Sequence, residues 1–507
     1  MSVDAEPDAD AEADVLPESD TAFDADTEAD LAHEVDADID AGMEADLAPD
    51  VLDVTVDTVD TASDSDASTK PPGPVHFEQP ASGAEWQAGS THVIRLVIDP
   101  ELEVTFPGAT WLAIAEVSID GGAFVALDEG IAHAAGWERV IRWTVTAPTG
   151  SELRVRAQIS ARDPAGNPLE VGALEVPSAV VRLAPSGLRA CYAWSLVTSE
   201  AAFAPRDGAG ALVKDGRMWL IGGWNPLDPE HFPEITVNDV WSSADGRAWR
   251  NDVPNAAPGM WERRHKAGYA VFDDALWILG GDLSTGHMQP DVWRSADGVA
   301  WTQVSAQTPW GERVLQMVWV HAGAMWVMGG QTLPQFGGPA ESVIYNDVWR
   351  STDGAQWQRV LEHAPWSPRG MMGGEAVHRG RMWILGGGTY DMPEVPARRY
   401  ENDVWSSADG IAWRHDLVEA PWAARQYHEV AVWDGRMFVL EGYDGVGNRK
   451  DVWYSDDGVS WYELVDTPWA PRHASSIFVH DEALWVVTGN NLTSDVWRLD
   501  CAPPTVR

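Results

Sequence analysis

Cysteine, positive charge and long apolar runs are all scarce in this chain. Only two cysteines occur in 507 residues, at 191 and 501. Lys and Arg number 34 against 79 Asp and Glu, a formal net charge of −45. A chain this acidic repels a phosphate backbone and an anionic lipid surface, so no nucleic-acid partner is expected. No stretch is long and apolar enough to span a bilayer. The opening "MSVDAEPDAD" has neither a basic n-region nor an apolar h-region, so no signal peptide is visible. Paired His or Cys spacings are missing, so neither a zinc site nor any other cofactor is expected. Tryptophan, by contrast, is abundant: 29 residues, which call for a repeated structural reason. The length is too great for one core and predicts two or three units.

Three regions differ in character. Residues 1–70 hold 24 acidic residues against Lys70, a net of −23, leaving −22 for the rest. High charge with few aromatics predicts a disordered, self-repelling spacer. Its loop "DADIDAGMEADL" from Asp36 alternates possible calcium ligands, but Gly falls seventh rather than sixth and Leu47 stands twelfth, so a specific calcium site is not expected. Residues 71–185 open at "PPGP" and continue as short apolar and β-branched segments, including "HVIRLVID" and "RVIRWTVTAP", broken by "DGG", "APTG" and "DPAGN". About seven short strands in such a span predict a β-sandwich. Its "QPASGAEWQAGS" and "VSIDGGAFVAL" resemble immunoglobulin-like modules of bacterial surface proteins. Neither cysteine lies inside it, which excludes an antibody-type disulfide core.

Residues 186–507 are repetitive. The Asp of a "DVW" motif recurs at 239, 291, 347, 403, 451 and 495. Each unit gives an Arg, a strand rich in small residues, a tight turn, and a strand such as "RMWLIGG" or "ALWILGG". A variable loop, "DVW", a "DG" turn and a strand opening on Trp follow. Four strands per unit at this period predict propeller blades. The pattern resembles kelch repeats, as in the central domain of galactose oxidase-like proteins. It covers about 320 residues, and the resemblance implies an all-β, six-bladed propeller. The double glycine decays to Glu441-Gly442 and Thr488-Gly489 in the last two units. "SADGRAW" also resembles an Asp-box, with one residue fewer between Asp and Gly. Asp-Gly tolerates two consecutive positive-φ residues, which suits a two-residue hairpin turn.

The sixth unit stops after "SDVWRLD". Its missing outer strand matches the start of the region, where Trp194 of "CYAWSLVTSEAAFAPR" aligns with Trp461 and Arg206 with Arg472. The ring is therefore expected to close by pairing the strand near Trp194 with that near Trp497. In this register Cys191 and Cys501 replace the two residues of the missing turn, which predicts a disulfide stapling the closure. Closing a loop of roughly 300 residues would stabilise by about 3–5 kcal/mol on the chain-entropy model. A lasting disulfide implies an oxidising compartment, so an extracytoplasmic or cell-surface location is expected.

Function is expected on the face carrying the long loops 224–237, 331–345 and 388–401. An aromatic lies three residues before Arg206, Arg264, Arg313, Arg369, Arg425 and Arg472. Six such Arg could ring an anion- or carboxylate-binding mouth, or each could tie neighbouring loops through backbone carbonyls. With Trp224, His428 and Tyr443 they form the candidate binding set. No catalytic set is marked: copper-radical chemistry needs a cysteine that the closure already uses, and Tyr427, His428, Glu429 and Glu375 show no catalytic spacing. The reading is a monomeric, non-catalytic binder of a protein or glycan. The alternative is an extracellular glycan-directed hydrolase using the same face.

Overall fold

The computed structural model describes residues 75–127, 131–133, 138–170, 178–189, 191–225, 235–283, 287–333, 341, 343–370, 374–390 and 399–501. The chain divides into Met1–Ala48 and Pro49–Arg507, and every described residue belongs to the second unit. The acidic segment 1–70 with its Asp36 loop lies outside the described residues. So do 226–234, 334–340, 342 and 391–398 of the three long loops.

The N-terminal part has two β-layers. One holds Val75–Gln79, Thr91–Ile98 and Glu138–Thr144; the other is built on Ala84–Gln87, Ser178–Ala184, Glu152–Arg162 and Thr110–Ile119. Alternation sets the faces: Leu153, Val155, Ala157 and Ala161 are buried, while Arg154 between them is exposed. The core gathers around Trp86, Ile94 and Leu183 at one end and Trp111, Leu96 and Ile98 at the other.

Among the described residues the rest forms six four-stranded antiparallel sheets, a propeller-like repeat, and a two-stranded ribbon of Asp282–Leu283 with His287–Met288. Sheets one to five start at Gly210, Gly268, Met317, Glu375 and Glu429. The sixth combines Ser476–His480, Ala483–Val487 and Val496–Cys501 with Tyr192–Thr198. The first strands touch in a closed cycle, each beside the next and the sixth beside the first. Second strands such as Ala275–Leu279 are buried along their whole length between neighbouring sheets, which accounts for their continuous apolar sequence.

The hairpins repeat one device. Ser243 Oγ accepts from Gly246 N (2.9 Å), and Asp245 Oδ1 accepts from the N–H groups of Arg247 (2.9 Å) and Ala248 (2.8 Å). Only Gly246 has a positive φ. The expectation of two consecutive positive-φ residues is therefore corrected, because the carboxylate organises the turn and leaves only Gly in the left-handed region. That glycine also packs on the preceding sheet: a Cβ on Gly246, Gly298, Gly354, Gly410 or Gly458 would overlap Trp485, Trp219, Trp277, Trp326 or Trp383. Sheet six has no such hairpin, and the position on sheet five that would meet its glycine holds Phe438 in place of Trp, with Tyr192 5.7 Å away.

Closure runs through Tyr192–Thr198, with Trp194 opposite Leu499 and Leu196 opposite Trp497. Cys191 and Cys501 form a disulfide with Cα atoms 4.7 Å apart. Trp194 meets Trp469 edge-on (4.3 Å, 87°), as Trp301 meets Trp261 and Trp357 meets Trp310. The imported strand thus occupies the position of the fourth strand in the other sheets.

The N-terminal layers dock on sheet five. Thr91 N donates to Trp461 O (2.7 Å), and Gln87 Nε2 to Asp456 Oδ1 (2.7 Å) and Asp457 Oδ2 (3.0 Å). The hydroxyls of Tyr462 and Tyr454 accept from Gly187 N (2.6 Å) and Arg189 N (2.9 Å) of the connecting segment. Arg95 and Arg142 both reach Glu419.

Gly298 and Gly216 both have positive φ (76° and 67°), but only Gly298 is crowded. Gly298→Ala is expected to lower unfolding stability by about 1–3 kcal/mol more than Gly216→Ala, measured by urea denaturation.

Candidate functional site

Six Arg–Asp pairs organise the end of the ring where the first strands begin. Arg206 Nη1 donates to Asp239 Oδ1 (2.6 Å) and Nη2 to Oδ2 (3.0 Å); Nη1 also donates to Gly222 O (2.9 Å). The same fork joins Arg264 to Asp291, Arg313 to Asp347, Arg369 to Asp403, Arg425 to Asp451 and Arg472 to Asp495. Each Asp also accepts an indole N–H from the Trp two residues on, as Asp239 Oδ2 does from Trp241 (2.7 Å). "DVW" is thus an acceptor for the Arg plus its own brace. All six Arg are at most 2% exposed. Burial pushes Asp403, Asp451 and Asp495 upward, but the guanidinium and indole outweigh it and hold them below the usual range. Guanidiniums engaged in this way face carboxylates inside the sheets rather than solvent. The carbonyl tie is present too, to the first residue of the double-glycine position.

On this frame sits a belt of variable residues. One contributor follows each Arg: Asp207, His265, Val314, Gly370, Gln426 and His473. The other follows each double-glycine position: Trp224, Gln331, Gly388, Tyr443 and Asn490 among them. They meet across neighbouring sheets. Trp224 stacks on His265 (6.1 Å, 19°), Tyr443 meets His473 edge-on (6.2 Å), and Asn490 Nδ2 donates to Asp207 Oδ2 (3.1 Å). Gln331 folds over Gly370, where a Cβ would strike its side chain. Between sheets four and five the equivalent residues are Gly388 and Gln426. The Gln426 amide is fully buried with both polar atoms unpartnered. The sequence signal for the belt is variation at fixed offsets from strictly repeated Arg and Gly.

Inside the belt the backbone narrows the ring. Gly208, Lys266, Leu315, Tyr427 and Ala474, each two residues after an Arg, all have φ between 51° and 60°. Lys266 N donates to Gly208 O, Gly208 N to Ala474 O, and Ala474 N to Tyr427 O (2.9–3.1 Å). The Lys266 ammonium lies 4.7 Å from the Tyr427 ring centroid, joining sheet two to sheet five across the ring. Leu315, Val314, Met288, Leu333 and Tyr390 pack with Tyr427 into an apolar floor. Tyr427 stacks on His473 (5.0 Å, 22°), whose ring is pushed down to about 3 by burial and then by Lys266.

Trp224 and Tyr443 are half-buried at the rim. His428 is elsewhere. It is fully buried, its Nε2 lies 2.6 Å from Leu385 O, and burial followed by Arg425 brings it down to about 3. Its place among the binding candidates is therefore corrected: a neutral, buried imidazole ties sheet five to sheet four.

Three carboxyls of sheets four and five lie close enough to feel one another's charge. Glu429 opens the first strand of sheet five, opposite Leu440 and next to Glu441 in register. Glu375 opens that of sheet four. Burial, then Glu441 and Glu375, push Glu429 well above the carboxylate range. Glu375 rises to about 7 through burial, against its own and Val318 backbone N–H groups. Glu441 stands where four of the other five units have glycine, at φ 49° and 0% exposure. It accepts from Ser475 N (3.0 Å) and Oγ (2.9 Å) of sheet six. Burial raises it to about 7, opposed by Arg472 and Ser475. Among the described residues no group of three or more His, Cys, Asp or Glu could hold a metal ion. No described helix is long and apolar enough to cross a membrane.

Fold and frame define the class: an all-β, propeller-like repeat protein. No family model matches the chain. Among characterised proteins it is similar to Beta-scruin of Limulus polyphemus, a kelch-repeat protein, at 23% identity over 224 residues. That match covers 43% of this chain and 23% of Beta-scruin.

Asp291→Ala strands Arg264 in the interior and should cost about 3–5 kcal/mol in urea unfolding, more than Arg264→Met with Asp291→Leu together. Glu441 has a folded pKa of about 7 against an ordinary 4.5, so the folded state holds the extra proton. Its contribution to stability is present below pH 4.5 and is lost as pH rises through 7. Glu441→Gln is accordingly expected to gain up to about 3 kcal/mol over the parent at pH 8 and nothing at pH 4, by thermal unfolding at the two pH values.

Proposed function

We propose that the chain is a six-bladed kelch-type propeller with an N-terminal immunoglobulin-like module, working at the cell surface as a non-catalytic scaffold. The proposed ligand is a protein or glycan, gripped by the loop face. The observation that carries this reading is the belt. Its residues change chemistry from sheet to sheet on a frame that does not change, as expected where recognition is grafted onto a repeat. Trp224 and Tyr443 offer half-exposed aromatic area, with His473 and Asn490 supplying polar contacts around an apolar floor. The six Arg build the mouth from within. The similarity to a kelch-repeat protein supports a binding scaffold, and the Cys191–Cys501 disulfide supports an oxidising compartment.

A second reading, a hydrolase acting on an extracellular glycan, is favoured by the proximity of Glu375, Glu429 and Glu441. Raised carboxyls are suited to general-acid work where they reach a substrate.

The test is an array of glycans and extracellular protein fragments probed with the full chain. Trp224→Ala and Tyr443→Ala are expected to weaken the strongest ligand about ten-fold or more, with unchanged unfolding midpoints. Binding that survives both changes would place recognition outside the belt. Turnover of a bound glycan that is abolished by Glu429→Gln would select the hydrolase.

A further inference from the structure

Tyr192–Thr198 differs from every other outermost strand of the ring. It is the outer member of sheet six and, among the described residues, is hydrogen-bonded on one side only. The other five are three to five residues long: Arg250–Val253, Thr302–Ser305, Gln358–Leu361, Trp413–Leu417 and Tyr462–Leu464. Four of the five carry a charged side chain, and the fifth, Thr302–Ser305, has three polar residues and one Val. Tyr192–Thr198, "YAWSLVT", has seven residues and no charge. Ala193 and Ser195 are exposed, and Leu196 is 48% exposed.

A long, uncharged edge strand presents alternate N–H and C=O groups outward, a template for another strand that proteins ordinarily blunt with charge, brevity or a cover. This chain does cover an edge elsewhere: Thr91 N bonds Trp461 O beside the outer strand of sheet five. The sheet-six edge is also pre-ordered. The disulfide pins one end, and Ala201 N donates to Ser494 O (2.9 Å) beyond the other. Little ordering entropy remains to be lost on docking.

We propose that this edge is an interaction surface for a second copy of the chain, with the two Tyr192–Thr198 strands pairing antiparallel about Ser195. The strand is self-complementary in that register. Trp194 faces Leu196 of the second copy, with no charge opposed to a like charge. Val197 is the bulged residue, where the pairing with Val496–Cys501 shifts register, so the regular template runs from Tyr192 to Leu196. The nearest charged residues on the adjoining strand, Arg498 and Asp500, bind each other (2.8 Å). With −45 on each copy, the remaining surfaces repel, so pairing strengthens as salt screens them. This replaces the monomer expected from the sequence with a two-fold dimer joined through one continuous sheet.

Sedimentation equilibrium of the full chain tests it at low and high salt. The expected result is a dimer favoured by salt. Leu196→Lys, at an exposed position, should weaken it about ten-fold or more while leaving near-ultraviolet circular dichroism unchanged. Ser195→Cys should form a covalent dimer under mild oxidation, because the two residues meet at the axis within disulfide reach. A parent chain that stays monomeric at high micromolar concentration in high salt overturns the proposal. So does a dimer that ignores Leu196→Lys and does not cross-link through Ser195→Cys, since another face would then hold it.

Discussion

The ring depends on one interaction repeated six times: a buried guanidinium forked onto the carboxylate of "DVW". An ion pair removed from water gains little net stability, because desolvation offsets the attraction. What it supplies here is position. A planar fork accepts one arrangement of two oxygens, and a carbonyl and an indole N–H complete the set. Arg therefore sets where the first strand enters, Asp where the third strand passes, and the double-glycine position how closely they approach. A Cβ on Gly223 would press on Arg206, and one on Gly281 on Arg264. The belt, the left-handed residues inside it and the apolar floor all lie at fixed offsets from that Arg.

Where the repeat departs from itself, the chain has another use for the residue. In sheet five, Tyr454, Asp456, Ser460 and Tyr462 stand where sheet two has Arg294, Ala296, Ala300 and Thr302. All four bond to the N-terminal layers or the segment leading from them. Phe438 replaces a Trp where no hairpin glycine arrives. Glu441 replaces a Gly where Ser475 can receive its carboxylate. The departures cluster in sheets five and six, next to the seam where the two ends of the ring are joined.

Much of this was legible in the sequence. The four-strand unit, the hairpin, the cut in the sixth repeat and the cysteine pair follow from residues a fixed number of positions apart, and local hydrogen bonding enforces such spacings. The Asp-Gly turn departs from the expected geometry at one residue, since its carboxylate spares Asp a positive φ. The Arg were singled out, but their partner was missed. Arg and Asp are separated by anything from 23 to 34 residues, because the variable loop lies between them. Matching the six Arg with the six Asp by unit would have found the pairs.

By itself the sequence determined the four-strand repeat and the cysteine pair, because these follow from periodicity along one chain. Only the tertiary structure decided which side chains share a site. Trp224 with His265, Asn490 with Asp207, Glu429 with Glu375, and Lys266 with Tyr427 come from different sheets, and the last pair spans the ring. Neighbours across a sheet boundary obey the packing of sheet on sheet, which carries no period in the sequence. The candidate site is assembled from such neighbours.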